Sequence, residues 1–210
     1  MTKKKYQYIL CFFLCLFLVS CSTTSQSDYI ENTLLEANNY ISNDNVDKAL
    51  ESYKNILQKD PLNQKTLFNQ AILLQYQKKY DSALENIDKI IDNYPFNIKA
   101  YQLKIDILKE QNLNSLVIEI YQNLLDEYPH LYSLRVDYIN FLLSYESEIS
   151  QESKEMIKEN SIFLLENNEE VKAALKALCT VEKNNAEYSA LLYLYDKSTW
   201  LSIYSQENGN

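Results

Sequence analysis

Glycine is almost missing from this chain: there is one in 210 residues, Gly209, next to the last position. Tight hairpin turns need positive φ, which Gly adopts at least cost, so an all-β fold is hard to build from this sequence. The same shortage excludes a Gly-rich phosphate loop and the strained turn that presents a hydrolase serine. Proline occurs three times and histidine once, at His130. Three of the four cysteines fall in the first 21 residues, which leaves Cys179 alone in the remainder and no disulfide framework there.

What is present is ample apolar material, 46% of residues, with 23% charged, so the chain can bury a core. Helices joined by short polar turns tolerate the lack of Gly. The composition therefore predicts an all-α fold. The net charge is −9. An acidic surface of this kind repels phosphate backbones, and nucleic acid is not an expected partner.

The N-terminus is patterned differently from the rest. Lys3, Lys4 and Lys5 form a positive start, and Tyr6 to Val19 is apolar except for Gln7. The run is shorter than the roughly 20 residues that a membrane-spanning helix needs, and it ends in small residues, as an export signal does. Leu18-Val19-Ser20-Cys21 resembles a lipobox, the processing site of bacterial lipoprotein precursors. The resemblance implies a signal peptide over 1–20, cleavage before Cys21, and a diacylglyceryl thioether with further acylation, palmitate included, on Cys21. Loss of residues 1–20 removes three lysines and no acid, taking the net charge to −12. Residues 21–29, with the polar run Ser22 to Ser27, are expected to act as a flexible tether. The expected location is the bacterial cell envelope. Ser22 in place of an acidic residue after Cys21 points to the outer membrane under the sorting rule of some bacteria.

Beyond the tether the three prolines, Pro61, Pro95 and Pro129, are spaced by 34 residues, and other positions keep that register. Ala49, Ala83 and Val117 stand twelve before each proline; Tyr53, Ile87 and Tyr121 eight before; Ile56, Ile90 and Leu124 five before. These offsets trace one face of a helix that the proline then stops. Ala37, Ala71 and Ile105, with Tyr40, Leu74 and Leu108, mark a second apolar helix ahead of it. Each unit is thus a helix, a polar turn, a second helix and a proline stop.

Asp47-Lys48-Ala49-Leu50-Glu51-Ser52-Tyr53 with Asp60-Pro61-Leu62-Asn63, and Tyr80-Asp81-Ser82-Ala83-Leu84 with Tyr94-Pro95-Phe96-Asn97, resemble the tetratricopeptide repeat (TPR) family. Three units are expected, 30–63, 64–97 and 98–131. The family's glycines are absent: Ala37, Ala71 and Ile105 stand in the first helix, and the turns carry none. The resemblance implies a right-handed α-solenoid of antiparallel helix pairs. Residues 132–206 read as degenerate repeats with helices over 132–145, 151–166 (Ser150 as N-cap), 171–181 and a capping helix over 187–204 that contains Trp200, ahead of a frayed tail at Ser205–Asn210.

No catalytic set, metal site or cofactor site emerges. Glu127 and His130 have Glu-x-x-His spacing, but Pro129 breaks the helix between them, and an exposed turn is the better reading. Cys179 lies on an apolar helical face and reads as a buried structural thiol. In TPR proteins the first helices line a groove. The resemblance places Asn38, Lys65, Phe68, Ile72, Gln75, Lys99, Gln102, Asp106 and Lys109 there as partner-binding candidates. Some family members clamp a partner's terminal carboxylate at positions that here are Leu34, Asn38, Lys99 and Leu103, so that clamp is incomplete. In outline the chain resembles the TPR lipoproteins of outer-membrane barrel assembly and pilus assembly. The expected function is a membrane-tethered adaptor for other envelope proteins or peptide segments; a peptide- or glycan-binding accessory subunit of a cell-wall enzyme or transporter is the alternative.

Overall fold

The computed structural model describes residues 26–145 and 148–204, and among these every regular element is a helix, eleven in number. The signal segment, Cys21, Glu146-Ser147 and the tail Ser205–Asn210 lie outside the described residues. The helices are α1 (residues 26–42), α2 (Val46–Lys59), α3 (Gln64–Tyr76), α4 (Tyr80–Asn93), α5 (Ile98–Glu110), α6 (Asn114–Glu127), α7 (Tyr132–Ser144), α8 (Gln151–Glu166), α9 (Val171–Val181), α10 (Ala186–Tyr195) and α11 (Lys197–Tyr204). The all-α expectation holds. Residues 26–29, read as part of the tether, are already helical, and the Lys59 ammonium sits 3.3 Å above the Tyr29 ring. The chain divides into two compact units, up to Ile107 and from Leu108.

In the first unit, small residues set the spacing between helices. Ala37, Ala49, Ala71 and Ala83 are completely buried, and the bulky partners of the same register, Tyr53, Ile56, Ile87 and Ile90, fill the space around them. Leu73 belongs to the cluster formed by Leu34, Ala37, Ala49, Tyr53 and Ile56, and Leu67 and Ala71 to the next, with Ala83, Ile87, Ala100 and Ile107. Helix α3 is therefore sandwiched, with core on two sides. Polar links reinforce the stack: Asn86 Nδ2 donates to Gln70 Oε1 at 2.9 Å, and Lys104 Nζ meets Asp88 Oδ1 at 2.7 Å.

The turns repeat as faithfully as the helices. The first turn of each unit places one residue in the left-handed region: Asp44 (φ 57°), Lys78 (φ 58°) and Asn112 (φ 57°), again 34 residues apart. The next amide reaches back to close the preceding helix, Asn45 N to Tyr40 O (2.8 Å), Lys79 N to Leu74 O (2.8 Å) and Leu113 N to Leu108 O (3.0 Å). This is the helix-ending pattern that normally takes Gly, performed here by residues with a Cβ. At the proline turns, Asn63 caps α3 by accepting from Thr66 N at 3.0 Å, and Asn97 Oδ1 accepts from Ala100 N at 3.2 Å.

In the second unit α8 and α9 form another hairpin, closed by left-handed Asn168 (φ 55°) and by Glu169 N to Leu164 O at 2.9 Å. The turn chemistry survives where the proline register is lost. Ser150 caps α8 as expected, through Ser153 N. Arg135, 7% exposed, donates to Asn160 Oδ1 at 2.6 Å and to the Pro129 carbonyl, over the Phe163 ring. The expected helix over 187–204 is two. Asp196 interrupts it because its carboxylate takes the amides of Ser198 (3.0 Å) and Thr199 (3.1 Å), starting α11 afresh, and also pairs with Lys172 at 2.5 Å. Trp200 then folds back: its indole N–H donates to Ser189, its ring stacks on Tyr204, and it packs against the cluster of Leu175, Cys179 and Leu192. Burial pushes the Cys179 thiol up, as befits a structural cysteine.

Two outcomes are expected. Lys78→Gly removes the Cβ from an exposed left-handed residue and should stabilise the chain by about 1 kcal/mol, raising the melting temperature by roughly 2–4 °C, whereas Lys78→Ile should lower it; calorimetry of the two variants checks this. The Lys172 ammonium and the α11 amides hold the Asp196 carboxyl well below the usual carboxylate range. A depressed carboxylate stabilises the fold above its unfolded pKa of about 4, and that stabilisation fades as pH falls below it. Emission from Trp200, the single tryptophan, should therefore shift to the red on acidification, and Asp196→Ala should show the shifted spectrum already at pH 7.

Candidate functional site

A cleft of about 700 Å³ interrupts the helical surface of the first unit where α3 begins, α4 ends and α5 begins. It falls in the size range of small-ligand pockets, about 300–1,000 Å³. Its position follows from the proline turn. Pro95 stops α4, and the Asn97 cap starts α5 two residues later, so Tyr94 and Phe96 are carried on a short arm beside the first turn of α3.

Three rings line the cleft. Phe68 is half-buried and rests on the core of Leu67, Ala71, Ala83 and Ile87, whereas Tyr94 and Phe96 are 43% and 76% exposed. Lys65 and Lys99 supply the only charges of the lining, and both are exposed. Gln64, Asn69, Asn93 and Asn97 add side-chain amides. Asn69 also hydrogen-bonds Tyr53, whose phenol is pushed up by burial against the effect of that bond. Two helix starts face one helix end here, so the helix dipoles partly cancel and the two ammonium groups decide the sign of the cleft. Cations, amides and rings without a carboxylate, imidazole or thiol suit recognition of a ligand.

Of the nine groove positions, Lys65, Phe68 and Lys99 come together in this cleft. Ile72 and Gln75 continue along the same side of α3, with Ile72 42% exposed. Asn38 on α1 and Gln102 and Asp106 on α5 are exposed but lie outside the cleft lining. Lys109 belongs to the second unit, where its ammonium meets the Tyr121 hydroxyl at 3.2 Å and lies 5.1 Å from the Phe141 ring centre. Leu34 and Leu103 are core residues, 7% and 8% exposed, so at those positions the carboxylate clamp is replaced by packing. Glu127 accepts from the Tyr128 hydroxyl, and His130 Nδ1 faces the Tyr132 hydroxyl at 3.0 Å.

Sequence reasoning missed Tyr94 and Phe96, because the proline motif reads as a helix stop and nothing more. The available signal was a Phe at a turn position where solvent exposure is the rule.

The comparisons agree with this architecture. Residues 65–97 match the family model described as Tetratricopeptide repeat. Among solved structures, the chain is similar to a tetratricopeptide repeat protein from Parabacteroides merdae at 17% identity and TM-score 0.61, covering 87% of this chain and 68% of that one. It is also similar to MamA from Desulfovibrio magneticus (14% identity, TM-score 0.51, 85% and 93% covered) and to pilF of Pseudomonas aeruginosa (12%, 0.50, 87% and 99%). No curated protein sequence matches. These identities speak for the fold alone: the chain is an all-helical repeat protein resembling the TPR solenoids, with a tetratricopeptide repeat over residues 65–97.

Proposed function

We propose that this protein is a lipid-anchored adaptor of the bacterial cell envelope, tethered through Cys21, whose repeats hold protein partners during assembly or maintenance of envelope structures. The observation that carries the binding half is the cleft on the first unit, where Lys65, Phe68 and Lys99 converge with two exposed rings and no acid. TPR arrays serve as protein-interaction scaffolds, and a mixed polar and apolar lining suits a peptide segment. The anchoring half rests on the sequence: Lys3-Lys4-Lys5, the apolar run to Val19, and Leu18-Val19-Ser20-Cys21. Two or three acyl chains hold a protein on a membrane almost permanently, since each buried methylene contributes about 0.8 kcal/mol. Among the described residues no helix is long and apolar enough to cross a membrane. On this reading the lipid is the attachment and the outer membrane the site.

The rings and amides of the cleft also favour a second reading, in which a free peptide or glycan fragment is bound on behalf of a cell-wall enzyme or transporter. A fragment at 100 times its dissociation constant would stabilise the chain by roughly 2.7 kcal/mol, so a thermal-shift screen of envelope fragments separates the two.

Labelled palmitate fed to bacteria expressing the chain should enter the wild type and not Cys21→Ala, which should accumulate with residues 1–20 attached. Label retained by Cys21→Ala would defeat the anchoring half. Crosslinking in intact membranes should return a discrete partner set; a solitary wild-type protein would defeat the adaptor half.

A further inference from the structure

The cleft at the α4–α5 turn is specific enough to say what it reads. We infer that it receives an internal, extended segment of the partner in which acidic side chains flank an aromatic or large aliphatic one. The inference rests on the adaptor reading and names the chemistry of its ligand.

The charge is the first argument. The whole chain carries −9, yet the cleft has two lysines and no acidic residue in its lining. Lys65 and Lys99 have no carboxylate partner among the described residues, in contrast to Lys89, Lys104, Lys158 and Lys172, which are all ion-paired. The two ammonium groups are thus open to carboxylates that a partner supplies. A polyanion would be repelled by the net negative charge of the chain, whereas isolated carboxylates need only the two ammonium groups.

The apolar lining is the second argument. Phe68 forms a floor against the core, and Tyr94 and Phe96 keep much of their surface in water. Nearby exposed apolar surface continues along α3 through Ile72 to Tyr76, 42% and 74% exposed, one helical turn apart. A segment with a ring or branched aliphatic side chain removes that surface from water while its neighbouring carboxylates reach the ammonium groups. The volume exceeds what one side chain fills, so two or three residues of an extended backbone are read together.

The test uses the full chain in detergent micelles and fluorescence anisotropy with an eight-residue peptide of alternating glutamate and phenylalanine, acetylated and amidated so that no terminal carboxylate contributes. It should bind, about tenfold more tightly than versions with glutamine for glutamate or alanine for phenylalanine. Raising the salt should weaken it. The double variant Lys65→Glu/Lys99→Glu and the single variant Phe96→Ser, all at exposed positions, should each reduce affinity about tenfold or more while leaving helicity and melting unchanged. Equal affinity for the glutamine peptide, tighter binding of an uncapped peptide, tighter binding of an oligothymidylate, or insensitivity to the double variant would each overturn the inference. If no peptide binds although membrane crosslinking of the wild type returns partners, the inference falls and the adaptor reading stands.

Discussion

The helices of the first unit can hide their apolar residues only against neighbouring helices, and small residues decide how closely those neighbours come. Ala37, Ala49, Ala71 and Ala83 have no exposed surface. A larger side chain at any of them would push two helix axes apart and open gaps beside Tyr53, Ile56, Ile87 and Ile90, whose burial is what holds the pair together. Leu67 and Leu73 lie on one helix and enter different clusters. Covering one pair therefore presents the surface for the next, which is how nearest-neighbour stacks gain stability. The site depends on this too, because Phe68 is presented upward only where the core beneath it is full.

The shortage of Gly did not abolish the turns that Gly normally serves. Asp44, Lys78 and Asn112 adopt left-handed backbone at 34-residue intervals, each at a cost of about 1 kcal/mol relative to Gly. The cost is offset by the amide of the following residue, which closes the helix on a carbonyl five residues back. Asn and Asp tolerate this region, and Lys does so less readily, so Lys78 is the point where tertiary structure overrides local preference most plainly. Asn168 repeats the device in the second unit, outside the proline spacing. The turn is thus set by helix pairing and not by the prolines that mark its register.

How legible each part was follows from what kind of signal carried it. Helix faces were legible, because Tyr53, Ile87 and Tyr121 announce burial by type as well as by spacing, and all three are buried. The Ser150 cap was legible for the same reason: a hydroxyl ahead of an apolar-periodic run has one good use. The break at Asp196 was not, since Leu191, Leu192, Tyr195 and Trp200 keep helical spacing across it and an Asp in mid-run reads as an exposed helical residue. Its Oδ1 takes the Ser198 and Thr199 amides while its Oδ2 pairs with Lys172 on α9, a partner distant in sequence that helical spacing does not reveal. The cleft was half legible. Lys65, Phe68 and Lys99 were reachable from repeat position, but the rings facing them sit on a turn, where sequence position says little about direction.

That turn also explains why the three units are not interchangeable as binding surfaces. The position after each proline holds Leu62, Phe96 and His130, and the position four after it holds Thr66, Ala100 and Leu134. In the middle unit the first of these, Phe96, lines a cleft together with the Tyr94 ring and the lysines Lys65 and Lys99. The preceding turn has Lys59-Asp60 ahead of its proline, and Lys59 is occupied by the Tyr29 ring while Asp60 accepts from Asn63. The following one spends His130 on Tyr132. A repeat that keeps its core register strictly but varies the two residues around its proline can hold the fold constant while placing a distinct recognition chemistry at one turn. The chain as a whole is acidic, so the two ammonium groups of the cleft, set beside exposed rings, offer a ligand with one or two carboxylates a local site of opposite sign next to apolar surface.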